Sequence, residues 1–63
     1  MNTDQIEGNW KQIKGKIQSK WGKITNDDLD IINGDRTMLI GKIQEIYGIE
    51  EEIVEKELRL LDL

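Results

Sequence analysis

Two tryptophans, Trp10 and Trp21, stand among five lysines: Lys11, Lys14, Lys16, Lys20 and Lys23. Aromatic faces that stack bases, beside ammonium groups that neutralise phosphates, are what a surface for single-stranded nucleic acid requires. Both indoles, however, share a helical stripe with Ile6, Ile13 and Ile17. Burying a Trp in such a stripe is among the largest hydrophobic gains a side chain offers. Lysines that flank the stripe lay their stems over apolar surface and keep the ammonium wet. The net charge of −4 also opposes binding to a polyanion. Trp10 and Trp21 are therefore expected to be interior anchors, and nucleic-acid binding through the lysine-rich first helix is the alternative reading.

Other candidate chemistry is sparse. Asp27, Asp28 and Asp30 beside Asn26 suggest a hard-cation site, but the spacing fails as a calcium loop. Counting from Asp28, the sixth and twelfth positions are Asn33 and Leu39, where Gly and Glu are needed. Helix capping accounts for these acids, and likewise for Glu50, Glu51 and Glu52. The chain has no His and no Cys, which excludes a structural zinc site and leaves Ser19 without a base to activate it. No Gly-rich phosphate loop is present. No catalytic, cofactor or metal residue is assigned, and the chain is read as a non-enzyme.

Three glycines ask for a different explanation. Gly8 and Gly15 project opposite the apolar stripe of the first helix, and Gly41 opposite that of the third. Each costs about 1 kcal/mol relative to Ala in a helix interior. A smooth outer face suits close approach by another backbone, from a partner or a second copy, against the plainer reading that the helices are buried on two sides or tolerate the cost. Self-association through the glycine faces or the leucine-rich C-terminus is thus a further alternative function. With the flanking cations, the candidate contact surface is Gly8, Lys11, Gly15, Lys16, Lys20, Lys23 and Gly41.

The elements that would carry these residues announce themselves by repetition. Gly15-Lys16-Ile17-Gln18-Ser19-Lys20-Trp21-Gly22 returns 26 residues later as Gly41-Lys42-Ile43-Gln44-Glu45-Ile46-Tyr47-Gly48. A first helix is expected from a Thr3 cap, with Asp4 and Glu7 against its positive end, through Ile6, Trp10, Ile13, Ile17 and Trp21 to a stop at a left-handed Gly22. Thr25 and Asp28 have capping-box spacing for a short second helix, with Leu29, Ile31 and Ile32 inward. Asn33-Gly34 is a stop and turn. Asp35 caps a third helix bearing Leu39, Ile40, Ile43, Ile46 and Tyr47, which Gly48 ends. A fourth starts among Glu50, Glu51 and Glu52 and carries Ile53, Val54, Leu58, Leu60 and Leu61, with Glu57 at the rim beside a cation. The predicted fold is all-α: four short helices as two packed αα-hairpins, about 3–33 and 34–61, in one domain spanning 1–63 with approximate internal duplication. The hairpins would share a core of about twenty apolar side chains, because neither hides its stripe alone.

Charge is divided between the ends. Residues 1–25 carry five Lys against Asp4 and Glu7, a balance of +3, and residues 26–63 carry four basic and eleven acidic residues, a balance of −7. The two ends should attract each other or a partner. The first residues show no basic, apolar leader, and no run approaches the roughly 20 apolar residues of a membrane span. A cytoplasmic location without membrane contact is expected, as a monomer or weak homo-oligomer.

The residues Gly8-Asn9-Trp10-Lys11-Gln12, Lys14-Gly15-Lys16, Trp21-Gly22-Lys23 and Thr25-Asn26-Asp27-Asp28 resemble the CsbD-like family of small bacterial general-stress proteins, as do Gly34, Leu39, Gly41-Lys42, Gln44-Glu45, Tyr47-Gly48 and Glu55-Lys56-Glu57. The resemblance covers nearly the whole chain. It departs at Gln18-Ser19 and Thr37-Met38, and the terminal Leu60-Leu61-Asp62-Leu63 is more apolar than the family pattern. The resemblance implies a bacterial stress-response protein, a small binding or protective module, with a fold similar to SAM-domain-like crossed hairpins. It brings no catalytic residues.

Overall fold

A computed structural model describes residues 9–63, in four helices: α1 Trp10–Lys20, α2 Asn26–Ile32, α3 Arg36–Tyr47 and α4 Glu51–Leu60. The class is all-α, as predicted. Helix α1 starts at Asn9, whose side chain accepts from the Lys11 N–H at 3.0 Å. Asn9 is extended, so α1 begins at Trp10. Thr3, Asp4, Ile6, Glu7 and Gly8 lie outside the described residues.

The end of α1 also differs from expectation. Trp21 is the C-cap, at φ −119° and ψ 79°, and its N–H still reaches the Ile17 carbonyl at 2.7 Å. Gly22 is not left-handed; among the described glycines that role falls to Gly34 and Gly48. Trp21 leaves the helix to place its indole in the core, where it is 4% exposed, so the chain turns one residue before a glycine would be needed.

The later boundaries follow local chemistry. Thr25 Oγ1 accepts from the Asp28 N–H at 3.1 Å while the Asp28 carboxylate accepts from the Thr25 N–H at 3.4 Å, closing the capping box. Asn33 and Gly34 take positive φ of 45° and 89° to turn into α3, which Asp35 caps by accepting from the Met38 N–H at 3.1 Å. Gly48, at φ 64°, stops α3 with its N–H on the Gln44 carbonyl at 2.8 Å.

Among the described residues the core is Ile13, Ile17, Trp21, Ile24, Leu29, Ile32, Leu39, Ile40, Ile43, Val54 and Leu58. Trp10, Ile46, Tyr47, Ile49, Leu61 and Leu63 pack partly buried against it. Three residues expected inside are outside: Ile31 is 70% exposed, Ile53 46% and Leu60 71%. Helix α2 buries Leu29 and Ile32, three apart, which turns Ile31 away. Helix α4 buries Val54 and Leu58, so Ile53 and Leu60, seven apart, share a neighbouring face.

The close backbone pairings are α3 with α4 and α2 with α3; the expected pairing of α1 with α2 is not among them. Helix α1 instead joins through side chains. Ile13, Ile17 and Trp21 enter the core, Lys14 Nζ meets Asp30 Oδ1 at 2.6 Å on α2, and Lys20 Nζ meets Glu57 Oε2 at 2.6 Å on α4. Glu57 thus sits at the rim beside a cation, as read from the sequence. The repeated octapeptide places Ile17 and Ile43 alike, both fully buried, but ends its two helices differently.

Candidate functional site

The candidate contact residues divide into two kinds. Lys20 is engaged with Glu57, and its ammonium lies 5.9 Å from the centre of the Trp21 ring. Lys23 lies over Tyr47, 5.6 Å from the ring centre, and its backbone N–H donates to Tyr47 Oη at 3.0 Å. Lys20 therefore ties the end of α1 to α4, and Lys23 ties the loop after α1 to the end of α3. Lys11, Gly15 and Lys16 remain together on the exposed side of α1, with Gln12 and Ser19. Gly41 is on α3, away from them in sequence and exposed. Gly8 is outside the described residues.

Around Gly41 the structure adds residues that were not singled out as a site. Ile31 and Met38, 70% and 45% exposed, line a groove of about 410 Å³ between α2 and α3 with Asp28, Ile32, Gly41, Lys42 and Glu45. The sequence signal available was the spacing of Leu29 and Ile32, which leaves no room for Ile31 on the same face of a seven-residue helix. On the rim, Lys42 Nζ lies 3.6 Å from Asp28 Oδ1 and 3.8 Å from Glu45 Oε2. Hydrogen bonding with the Thr25 hydroxyl holds the Asp28 carboxyl below its ordinary pKa against a smaller opposing effect of burial, and the Thr25 N–H and the Lys42 ammonium add to the lowering.

A stacking platform is not assembled. Trp21 is in the core, and Trp10 packs partly buried against it, its Nε1 buried without a partner among the described residues. Among those residues no group of three or more His, Cys, Asp or Glu is placed to hold a metal ion. Asp27, Asp28 and Asp30 act at the start of α2 and in bridges to Lys14 and Lys42. No described helix is long and apolar enough to cross a membrane.

The profile of the CsbD-like family matches residues 4–56 of this sequence. The chain belongs to the CsbD-like family. The UPF0337 protein ECA0631 of Pectobacterium atrosepticum is 58% identical over 59 residues, covering 94% of this chain and 86% of that protein. The UPF0337 protein YjbJ of Escherichia coli strain K12 is 56% identical over 57 residues, 90% of this chain and 83% of its own. The UPF0337 protein pc0632 of Protochlamydia amoebophila is also 56% identical over 57 residues, covering 90% and 86%. No solved structure matches the chain. Membership of the CsbD-like family connects the chain to the general stress response. The departure noted at Thr37-Met38 falls on the groove, where Met38 is half exposed.

Proposed function

We propose that this CsbD-like chain is a non-enzymatic module of a bacterial stress response that acts in the cytoplasm by binding a protein partner. The observation that carries the reading is the pair of exposed apolar residues, Ile31 and Met38, beside the bare helix face at Gly41. Large apolar side chains held at a rigid helix–helix groove are characteristic of recognition surfaces. The absence of His and Cys from the sequence, and with them the commonest bases and thiol nucleophiles, supports a binding role over a catalytic one. The exposed Lys11 and Lys16 on α1 would supply steering to an acidic partner or surface.

Capture from stressed bacterial cells tests it. Tagged wild-type chain should retain a reproducible protein that Ile31→Gln/Met38→Gln and Lys11→Glu/Lys16→Glu variants release. A set of captured proteins identical for wild type and both variants contradicts the reading.

A further inference from the structure

The groove between α2 and α3 and the outer face of α1 are complementary to each other. The groove has apolar walls from Ile31, Ile32 and Met38 and a bare floor at Gly41. Its charged rim is Asp28, Glu45 and Lys42, a net negative set. Two such grooves facing one another would bring acids against acids. Helix α1 has the opposite character: Lys11, Lys14, Lys16 and Lys20 are its charged residues, with no acid among Trp10–Lys20. Lys14 and Lys20 are committed to Asp30 and Glu57. Lys11 and Lys16 stay exposed on either side of Gly15.

The two glycines fit the same picture. Among the described residues, a Cβ added at Gly15 or Gly41 would meet nothing within 4 Å, so packing among them requires neither glycine. Each lowers helix stability relative to Ala. They occupy equivalent positions in the repeated octapeptide, one in the basic helix and one in the acidic groove.

We propose that the α2–α3 groove of one copy receives the Lys11–Gly15–Lys16 face of α1 from a second copy, so that the chain associates head to tail. The inference rests on the interaction-module reading and names a second copy of this chain as one occupant of its groove. Ile31 and Met38 of one copy cover the backbone at Gly15 of the next, and Gly41 allows α1 to approach α3 closely. The Lys11 and Lys16 ammonium groups approach the acidic rim, chiefly the exposed Glu45 carboxylate, since Asp28 already accepts from the Thr25 N–H. Because the two faces are different, the head-to-tail contact is heterologous, and repeated from copy to copy it builds a ring or an open chain larger than a dimer. Being ionic at its rim, it weakens with salt.

Sedimentation of the full chain over a wide concentration range at low salt tests the proposal, with two variants that each disable one face. Lys11→Glu/Lys16→Glu removes the donor face, and Ile31→Gln/Met38→Gln removes the groove. Both alter exposed side chains, and far-UV circular dichroism checks that each remains folded; Lys16→Glu and Met38→Gln alone serve where a double variant does not fold. Wild-type average mass should rise with concentration without levelling at twice the chain mass, and fall back in high salt. Each variant alone should associate at least about tenfold more weakly, a loss readily read from the mass isotherm. Mixed in equal amounts, the two variants retain one intact junction and should form particles of twice the chain mass, and no larger. A chain that stays monomeric at every concentration, or a mixture no heavier than its components, overturns the head-to-tail contact. Capture of a different protein by the same faces is read separately, in the stressed-cell experiment, so the two readings fail independently.

Discussion

The backbone N–H of Lys23 donates to the Tyr47 hydroxyl at 3.0 Å, and the Lys23 ammonium lies 5.6 Å from the centre of the same ring. One side chain from the end of α3 thereby holds the loop that leaves α1. Trp21 and Tyr47 occupy matching places in the repeat, yet one has become a core anchor and the other a clasp over it. Removing the hydroxyl in Tyr47→Phe keeps the ring and its attraction for Lys23 but deletes the hydrogen bond. The expected loss is about 1 kcal/mol, within the usual range for one intramolecular hydrogen bond. In a domain of this size that lowers the melting temperature by roughly 4–8 °C, which calorimetry resolves.

Lys20 and Glu57 connect α1 to α4 at 2.6 Å, with side chains 37% and 28% exposed. A half-solvated pair of this kind contributes about 0.2–1 kcal/mol and is screened by salt. Glu57→Gln is expected to destabilise by that amount at low ionic strength and by less at high. Paired urea titrations at the two salt levels measure the difference. An effect that is unchanged by salt would mean that Glu57 acts through packing rather than charge.

Glycine substitutions should divide by backbone geometry. At Gly15 and Gly41 a methyl group meets no neighbour among the described residues, so Ala should stabilise the isolated chain by about 0.5–1 kcal/mol each. At Gly48, with φ 64°, Ala should destabilise by about 1–2 kcal/mol. Thermal melts of the three variants at low protein concentration check the signs. Stabilisation by Gly48→Ala would contradict the left-handed stop of α3.

The Asp28 carboxyl gives stability a direction with pH. Hydrogen bonding with Thr25 and attraction to Lys42 lower its pKa in the folded chain, so the folded state holds the proton less readily than the unfolded state. Its contribution is therefore fully present above the ordinary Asp range, about pH 4. It is lost as pH falls from there through the lowered folded value. Asp28→Asn should be less stable than wild type near neutrality and approach it in acid. A stability difference independent of pH would show that the carboxylate charge is not what holds the start of α2.

Helix boundaries decided by their own residues were legible in the sequence. Thr25 with Asp28, Asp35, the Asn33-Gly34 turn and Gly48 each satisfy or terminate a backbone run through chemistry within a few residues, and each performs the expected role. Glu57 was legible too, since a carboxylate so near the apolar arc needs a cation, and Lys20 provides it. Gly22 was misread because glycine permits a left-handed stop without requiring one, and burial of Trp21 turns the chain first. Ile31, Ile53 and Leu60 were misread because short helices leave their buried face to be chosen by the neighbours. The same ambiguity hid the groove. Lys11, Gly15, Lys16 and Gly41 could be placed on outer faces from periodicity, whereas Ile31 and Met38 became candidates only once α2 and α3 were packed together.

That Trp21 is an interior anchor fixes which side of α1 is left to face a partner. Fluorescence of the Trp10→Phe variant isolates this indole and reports on it directly. Blue-shifted emission is expected, with iodide quenching far weaker in the native chain than in urea, and no salt-sensitive change on adding single-stranded oligonucleotide. Native quenching as efficient as in the unfolded chain, together with a salt-sensitive response to oligonucleotide, would contradict the buried anchor and make the lysine-rich segment a nucleic-acid surface.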